Sequence, residues 1–398
     1  MRDINTMVCS TDSDGRERMN RVNILLLAAF ALACSPIPAT PADLPNMLAG
    51  DSSGNSTEQV RENMSWFTFL TGFREESPEQ VRKNLMVEGN QLKSLVNGKT
   101  WNCGTLETPS LGELRQRVAV IASQAGRLRL LSAVGNVQHM HTDPANANAI
   151  FQVASQFNLL EMTGPQVTPE RGVAIYEHDH TQGPACAISA GAGTIYRNYF
   201  APVNGQIGQT AGNQIDCLAD LGAALGNESN RLWQMQNGYA LPARQGLEEI
   251  DALLRKTDET GRDRLRTLLR IGLHWQTEVT LDHAGHLVSQ AYCSALPVAY
   301  SDISDQYWES FARLVLEAAY EATLAAAVSN AQQNGSNRLF LTTLGGGAFG
   351  NKKVWILDSI RRALDLYRQH NLEVYIVSYG SADPDVLMMI ENFNRQSQ

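Results

Sequence analysis

The apolar positions of this chain change period along its length, and those changes predict the fold class. Ala149 to Ala154 (AIFQVA) is a short apolar run of the kind a buried strand takes, and Leu287 to Ala295 is a second. Gln306 to Asn330 instead repeats Trp308, Phe311, Val315, Ala319 and Ala322 at helical spacing, which predicts a long helix with one face on a core. Leu339, Phe340, Leu341 and Leu344 make another strand-like run. A helical stripe follows (Ile356, Ile360, Ala363, Leu364, Tyr367), then a last strand from Leu372 to Ser378. Strand, turn, helix, strand is a βαβ unit, so at least part of the sheet is parallel. The class is α/β, with a ligand expected at the carboxyl ends of the strands.

Local start signals divide the rest. Ser77-Pro78-Glu79-Gln80 opens a helix with a capping residue, a first-turn proline and a Gln to complete the box. Ser110-Leu111-Gly112-Glu113 repeats that logic ahead of Leu111, Leu114, Val118 and Ile121. A helix is expected from Pro184 toward Phe200, a polar glycine-rich loop over Gln206 to Asp216, and a helix over Arg262 to Trp275. Residues 57–113 read as a helical extension packed on the core, and residues 114–398 as the main domain.

Residues 1–56 read as a leader. Ile24 to Ala33 is apolar but too short to span a bilayer, so no integral membrane segment is expected. From Met19 it has the shape of a secretory signal: Arg21, an apolar stretch, then Ala31-Leu32-Ala33 before Cys34. Four acids among the first 18 residues spoil a signal that starts at Met1. The chain is exported if segment 19–34 is a signal and cytoplasmic otherwise. The second case reads as a disordered leader, and in either case the Pro/Ala/Ser/Gly-rich stretch from Ser35 to Ser56 extends it.

A net charge of -9 without a basic run excludes a nucleic-acid duplex as partner. The six cysteines lack CxxC spacing, so neither a zinc ribbon nor a disulfide framework is indicated; Cys186, Cys217 and Cys293 read as core. Candidate chemistry concentrates in Arg338 to Asn351 (RLFLTTLGGGAFGN). Gly345, Gly346 and Gly347 end the strand and let bare backbone N–H groups approach a ligand, with a helix N-terminus behind them. That combination cradles an anion, most often phosphate. The plain alternative is a tight turn. The loop formally matches GxGxxG, with Glu373 beyond it, but a dinucleotide domain needs several βα units after its loop and only one follows here. The P-loop pattern fails, because Asn351 and Lys352 stand after Gly350.

Gly345-Gly346-Gly347-Ala348-Phe349-Gly350 on a penultimate strand resembles the diphosphate loop of macrodomains and their poly(ADP-ribose) glycohydrolase relatives. Ala149 to Met162, Tyr176 to Phe200, Ala291 to Ser301 and Leu341 to Asn351 resemble the MavL-type group of macrodomain-like ADP-ribosylhydrolases, which act on ADP-ribosylated arginine in ubiquitin. The resemblance spans roughly residues 60–385 and implies a macrodomain-like mixed sheet flanked by helices. It also implies ADP-ribose or an ADP-ribosylated protein (ubiquitin among them) as partner, and no cofactor. Gly345, Gly346, Gly347, Ala348, Phe349, Gly350 and Asn351 would hold the diphosphate, facing Thr181, Gln182 and Gly183. Ser155, Gln156 and Asn158 would lie near the distal ribose, and Phe349 would either stack on the ligand or sit in the core.

Cleaving a ribose–guanidinium bond passes through an oxocarbenium-like state and needs a nearby carboxylate. Asp302 and Asp305, between a strand and the long helix, are the first candidates; Asp305 as a helix cap and Asp302 as a turn residue are the plain alternatives. Glu177, Asp179 and Asp282 are rivals. The Gln-Glu-Glu that follows the glycines in glycohydrolases is replaced here by Asn351, Lys352 and Lys353, which weighs against polymer cleavage. His139/His141, His178/His180 and His283/His286 are closely paired, yet without HExxH or another tight signature they indicate no catalytic metal. The expected function is hydrolysis of mono-ADP-ribose from a side chain, with a non-catalytic reader module, a poly(ADP-ribose) glycohydrolase and a nicotinamide-dependent oxidoreductase as alternatives.

Overall fold

The computed structural model describes residues 64–121 and 126–396, so the signal-like segment 19–34 and the rest of the leader lie outside the described residues. Its centre is one seven-stranded sheet. In chain order the strands are β1 (Thr105–Glu107), β2 (Arg129–Val134), β3 (Ile150–Ala154), β4 (Gly272–Glu278), β5 (Leu287–Cys293), β6 (Arg338–Leu341) and β7 (Glu373–Ser378). In space they run β1-β4-β5-β3-β6-β7-β2. The β5/β3, β3/β6, β6/β7 and β7/β2 pairs are parallel, and β1 and β4 add an antiparallel edge. The mixed α/β class expected from the sequence is the class observed.

The apolar run of β3 is continuous because both of its faces are covered. On one face Gln152 donates through Nε2 to Thr323 Oγ1 of the long helix α3 (Asp305–Asn334) at 3.1 Å. On the other, Phe151 stacks 3.8 Å from His141, and Gln290 of β5 donates to the Cys186 carbonyl of α1 (Gln182–Ser189) at 2.9 Å. α3 carries its predicted stripe into the core, where Trp308, Phe311, Val315, Ala319 and Ala322 are all buried. Fully burying such side chains contributes roughly 1.5–3 kcal/mol each for the larger ones. The helix ends at Gly335 in the left-handed conformation, φ 79°.

Three expectations need correction. The helix from Pro184 to Phe200 is two helices, α1 and α2 (Gly191–Tyr199), because Ala190 leaves helical geometry at φ -114°, ψ 60°. The helix over Arg262 to Trp275 is a shorter one, Glu259–Arg266, after which the chain becomes β4; strand partners on both sides override the local pattern. Residues 57–113 are not purely helical where described. After the helices Trp66–Thr71 and Pro78–Asn84 come three antiparallel strands, Leu85–Glu88, Gln91–Ser94 and Thr100–Asn102. Leu92 and Ser94 are buried while Lys93 is exposed, the period of two that marks a strand.

Both predicted caps form. Ser77 Oγ accepts from Gln80 N, although Gln80 Oε1 serves Glu76 N and not the cap residue. Ser110 and Glu113 complete a full capping box. Among the described residues no helix is long and apolar enough to cross a membrane.

Candidate functional site

The carboxyl ends of β2, β3, β6 and β7 open into a cleft of about 940 Å³. This is the position that parallel sheets reserve for ligands. One wall is the glycine loop. Gly345 turns the chain at φ 74°, and a Cβ there would collide with Ala295 and come within 2.7 Å of Asn351 Nδ2, so only glycine fits. The loop closes on itself through Asn351 N to Gly345 O (2.9 Å), Gly346 N to Thr343 O (3.0 Å) and Gly350 N to Gly347 O (3.0 Å). Gly346, Gly350 and Asn351 thus use their N–H groups internally, and none of the three lines the cleft. The four that do line it are Gly345, Gly347, Ala348 and Phe349, and among the described residues their N–H groups meet no protein acceptor. The loop sorts its donors into those that build it and those that it offers.

The facing wall is the start of α1. Thr181, Gln182, Gly183 and Pro184 line it, and the Gln182 and Gly183 amides begin a helix that no side chain caps. Gln182 is fixed by both ends of its amide: Oε1 accepts from Ala154 N at 2.9 Å and Nε2 donates to Gln152 O at 2.8 Å. Gly183 presses so closely on β3 that a Cβ would strike the Ala154 carbonyl and Glu161 Oε2.

Glu161 is the residue that sequence reasoning missed. It lines the cleft at 3 % exposure, and its carboxyl accepts no hydrogen bond from any described residue; Oε1 is fully buried and unpartnered. Burial pushes this carboxyl well above the usual range; Arg197 opposes the shift and the charge of Asp179 reinforces it. Arg197 itself is buried, stacked 3.7 Å over the Tyr292 ring, and donates to the Leu159 carbonyl at 3.1 Å. A signal existed in the sequence: Glu161 is the one charged residue in the apolar stretch Phe157 to Met162.

Two further carboxylates stand on the same wall. Asp179 Oδ1 accepts from Thr181 N at 2.9 Å, and Glu177 Oε2 accepts from Trp66 N at 3.1 Å; both residues line the cleft, as does Trp66. Tyr239, Tyr300 and Phe349 form an aromatic cluster at its rim, with ring centroids 5.2–5.6 Å apart. Phe349 therefore belongs to the cleft and packs on the core at once.

The remaining predicted residues divide. Ser155 and Gln156 line the cleft, but their polar atoms are engaged: Ser155 Oγ donates to Gln156 O, and Gln156 bridges both backbone groups of Met162. Asn158 lies behind the wall, accepting from Leu160 N and donating to Gln214. Asp302 and Asp305 are not brought to the cleft. Asp302 is exposed on the turn before α3, and Asp305 occupies the first turn of that helix, paired with Lys352 at 3.0 Å. Asp282 also lies away, in a short turn at φ 51°. His141 Nδ1 faces Val137 O at 2.8 Å, His286 Nε2 faces His141 O at 2.8 Å, and no group of three metal-ligating side chains occurs among the described residues.

No protein-family model matches the chain, and no curated protein matches it. Solved structures that resemble it include the poly(ADP-ribose) glycohydrolase of Thermomonospora curvata bound to the inhibitor ADP-HPD. That match has 12% identity and a TM-score of 0.39, covering 80% of this chain and 95% of that one. The enzyme of Deinococcus radiodurans in complex with ADP-ribose is similar at 13% identity and a TM-score of 0.37, covering 81% of this chain and 98% of that one. At this distance no residue role is carried across from either.

Proposed function

We propose that this chain hydrolyses the glycosidic bond that joins ADP-ribose to another group. The observation that carries the reading is a buried, unpartnered Glu161 carboxyl in a cleft whose opposite wall offers free backbone donors. Amides of Gly345, Gly347, Ala348 and Phe349 would hold a pyrophosphate without any cation, and the α1 N-terminus would add its partial positive charge. Tyr239, Tyr300 and Phe349 offer flat apolar surface to a base or ribose.

In the reaction the bond from the ribose anomeric carbon to the leaving atom breaks, and the proton of Glu161 passes to that atom. Asp179, close enough to influence Glu161, stabilises the oxocarbenium charge and takes a proton from the incoming water, whose oxygen bonds to the anomeric carbon. Two carboxyls with different surroundings divide the roles of acid and base.

A carboxyl held protonated favours an oxygen leaving group, because an alkoxide needs a proton to depart. Guanidinium leaves already stabilised, so removal of mono-ADP-ribose from arginine, the reading supplied by the MavL-type resemblance, makes less use of Glu161. Release of ADP-ribose should be followed from ADP-ribose polymer and from mono-ADP-ribosylated arginine on protein, ubiquitin included. Faster release from the oxygen-linked substrate is expected. Arginine-only turnover would reverse the assignment of linkage, binding without turnover would make the chain a reader module, and failure of calorimetry to detect ADP-ribose binding would remove the whole proposal.

A further inference from the structure

The first described helix of the chain, Trp66–Thr71, and the segment after it reach into the cleft wall. Trp66 donates through its N–H to Glu177 Oε2 and through Nε1 to the Val173 carbonyl at 3.3 Å. Glu75 is bound more fully. Its Oε1 accepts from Val173 N at 3.0 Å and from the Tyr199 hydroxyl at 2.7 Å, while Oε2 accepts from Ala174 N at 2.7 Å. Those two amides start the short turn Ala174–His178, which carries Tyr176 and Glu177 and leads directly to Asp179. Tyr176 is wholly buried, and its hydroxyl oxygen accepts from Glu161 N at 3.0 Å. An unbroken path of hydrogen bonds and one short helical turn therefore joins Glu75 to the backbone of Glu161. The same segment shares a core with it: Phe67, Leu70 and Val81 pack with Leu160, Met162 and Tyr176.

We propose that Glu75 is a positioning residue for Glu161, acting through the turn that carries Tyr176. The proposal rests on the reading of Glu161 as the acid. Among the described residues none hydrogen-bonds the Glu161 side chain, so its backbone and its packing decide where the carboxyl stands. The charged groups that influence it are Arg197 of α2 and Asp179, and a shifted backbone would change its distance from both. A glutamine at position 75 puts an NH2 group, which donates and cannot accept, where one carboxylate oxygen now accepts, so either the Ala174 amide or the Val173 amide with the Tyr199 hydroxyl faces a donor in place of its acceptor.

The test uses the full chain as wild type, Glu75→Gln and Tyr176→Phe. The Glu161 carboxyl is followed by carbon NMR on carboxyl-labelled glutamate, its signal identified by loss in Glu161→Gln. Both variants are expected to move the Glu161 titration midpoint toward the ordinary glutamate value. They are also expected to lower kcat roughly tenfold while ADP-ribose affinity stays within about threefold, since the amide cradle lies on the opposite wall. Tyr176→Phe keeps the ring and removes only the hydroxyl, so it remains informative if Glu75→Gln folds poorly. Midpoints unmoved in both variants overturn the proposal. So does a joint collapse of melting temperature, affinity and kcat in Tyr176→Phe, which would mark a purely structural contact. A wild type that releases no ADP-ribose would end the hydrolase reading and still leave the titration to decide this one.

Discussion

The two walls of the cleft are built on opposite principles. The glycine wall offers backbone donors beside the Phe349 ring, and its four free amides are held by a loop that satisfies its other donors internally. The Glu161 wall adds side chains to the uncapped start of α1, and among the described residues nothing satisfies its key group. The first arrangement is compatible with stability, because exposed amides can be hydrated when no ligand is bound. The second opposes it, because burying a carboxyl without partners costs free energy unless it takes up a proton. The loop amides that bind and the carboxyl that reacts thereby belong to different parts of the chain, which can be changed separately.

The sharpest separation should come from Glu161→Gln. Turnover is expected to fall roughly 10²–10⁴-fold, as for loss of a general acid, while calorimetry finds ADP-ribose affinity nearly unchanged. Equal losses in both would mean the walls are not separable. Stability should then reveal which wall carries the cost. The folded pKa of Glu161 lies above its unfolded value, so its contribution is fully present below the ordinary glutamate range and is lost as pH rises through the folded value. Glu161→Gln should therefore gain melting temperature relative to wild type as pH increases.

His141 gives the opposite limb. Its pKa is lowered to about 4, chiefly by burial, so its contribution is present above the ordinary histidine value and is lost as pH falls toward 4. Melting curves from pH 7 to pH 4 should steepen accordingly, and a flat acid limb would contradict the neutral, buried imidazole.

On the glycine wall, a Cβ at Gly347 would meet nothing within 4 Å. Gly347→Leu should leave the melting temperature unchanged yet weaken ADP-ribose by about tenfold or more, about 1.4 kcal/mol, by filling the cleft. The smallest effects are expected at the aspartates favoured from sequence. Asp302→Asn and Asp305→Asn should leave turnover within about twofold, and breaking the half-exposed Asp305–Lys352 pair should cost no more than about 1 kcal/mol. A large loss of turnover at either position would return catalysis to the α3 start.

This contrast also explains what was legible in the sequence. The glycine loop is a local feature, written in consecutive residues between a strand and a helix, and so are β3, β7, α3 and the Ser110 capping box. Glu161 matters because of what folding fails to place beside it, which no spacing rule records. β4 and the three N-terminal strands were hidden because their identity depends on partners far along the chain, as in the pairing of Leu273 with both Ala291 and Glu107. Asp302 and Asp305 were chosen by proximity to a strand end, but the turn at Val298–Tyr300 sends Tyr300 to the cleft and carries the aspartates past it.

The order of the sheet has one more consequence. β7 sits between β6 and β2, so Val374 must meet both Leu339 and Leu130. Until residues 373–378 insert, β2 is separated from the rest of the sheet and the cleft has no floor on that side. Pairings across such sequence distances form slowly, so during synthesis the newborn chain should acquire affinity for its ligand abruptly and late, when that single hairpin-free strand slides home.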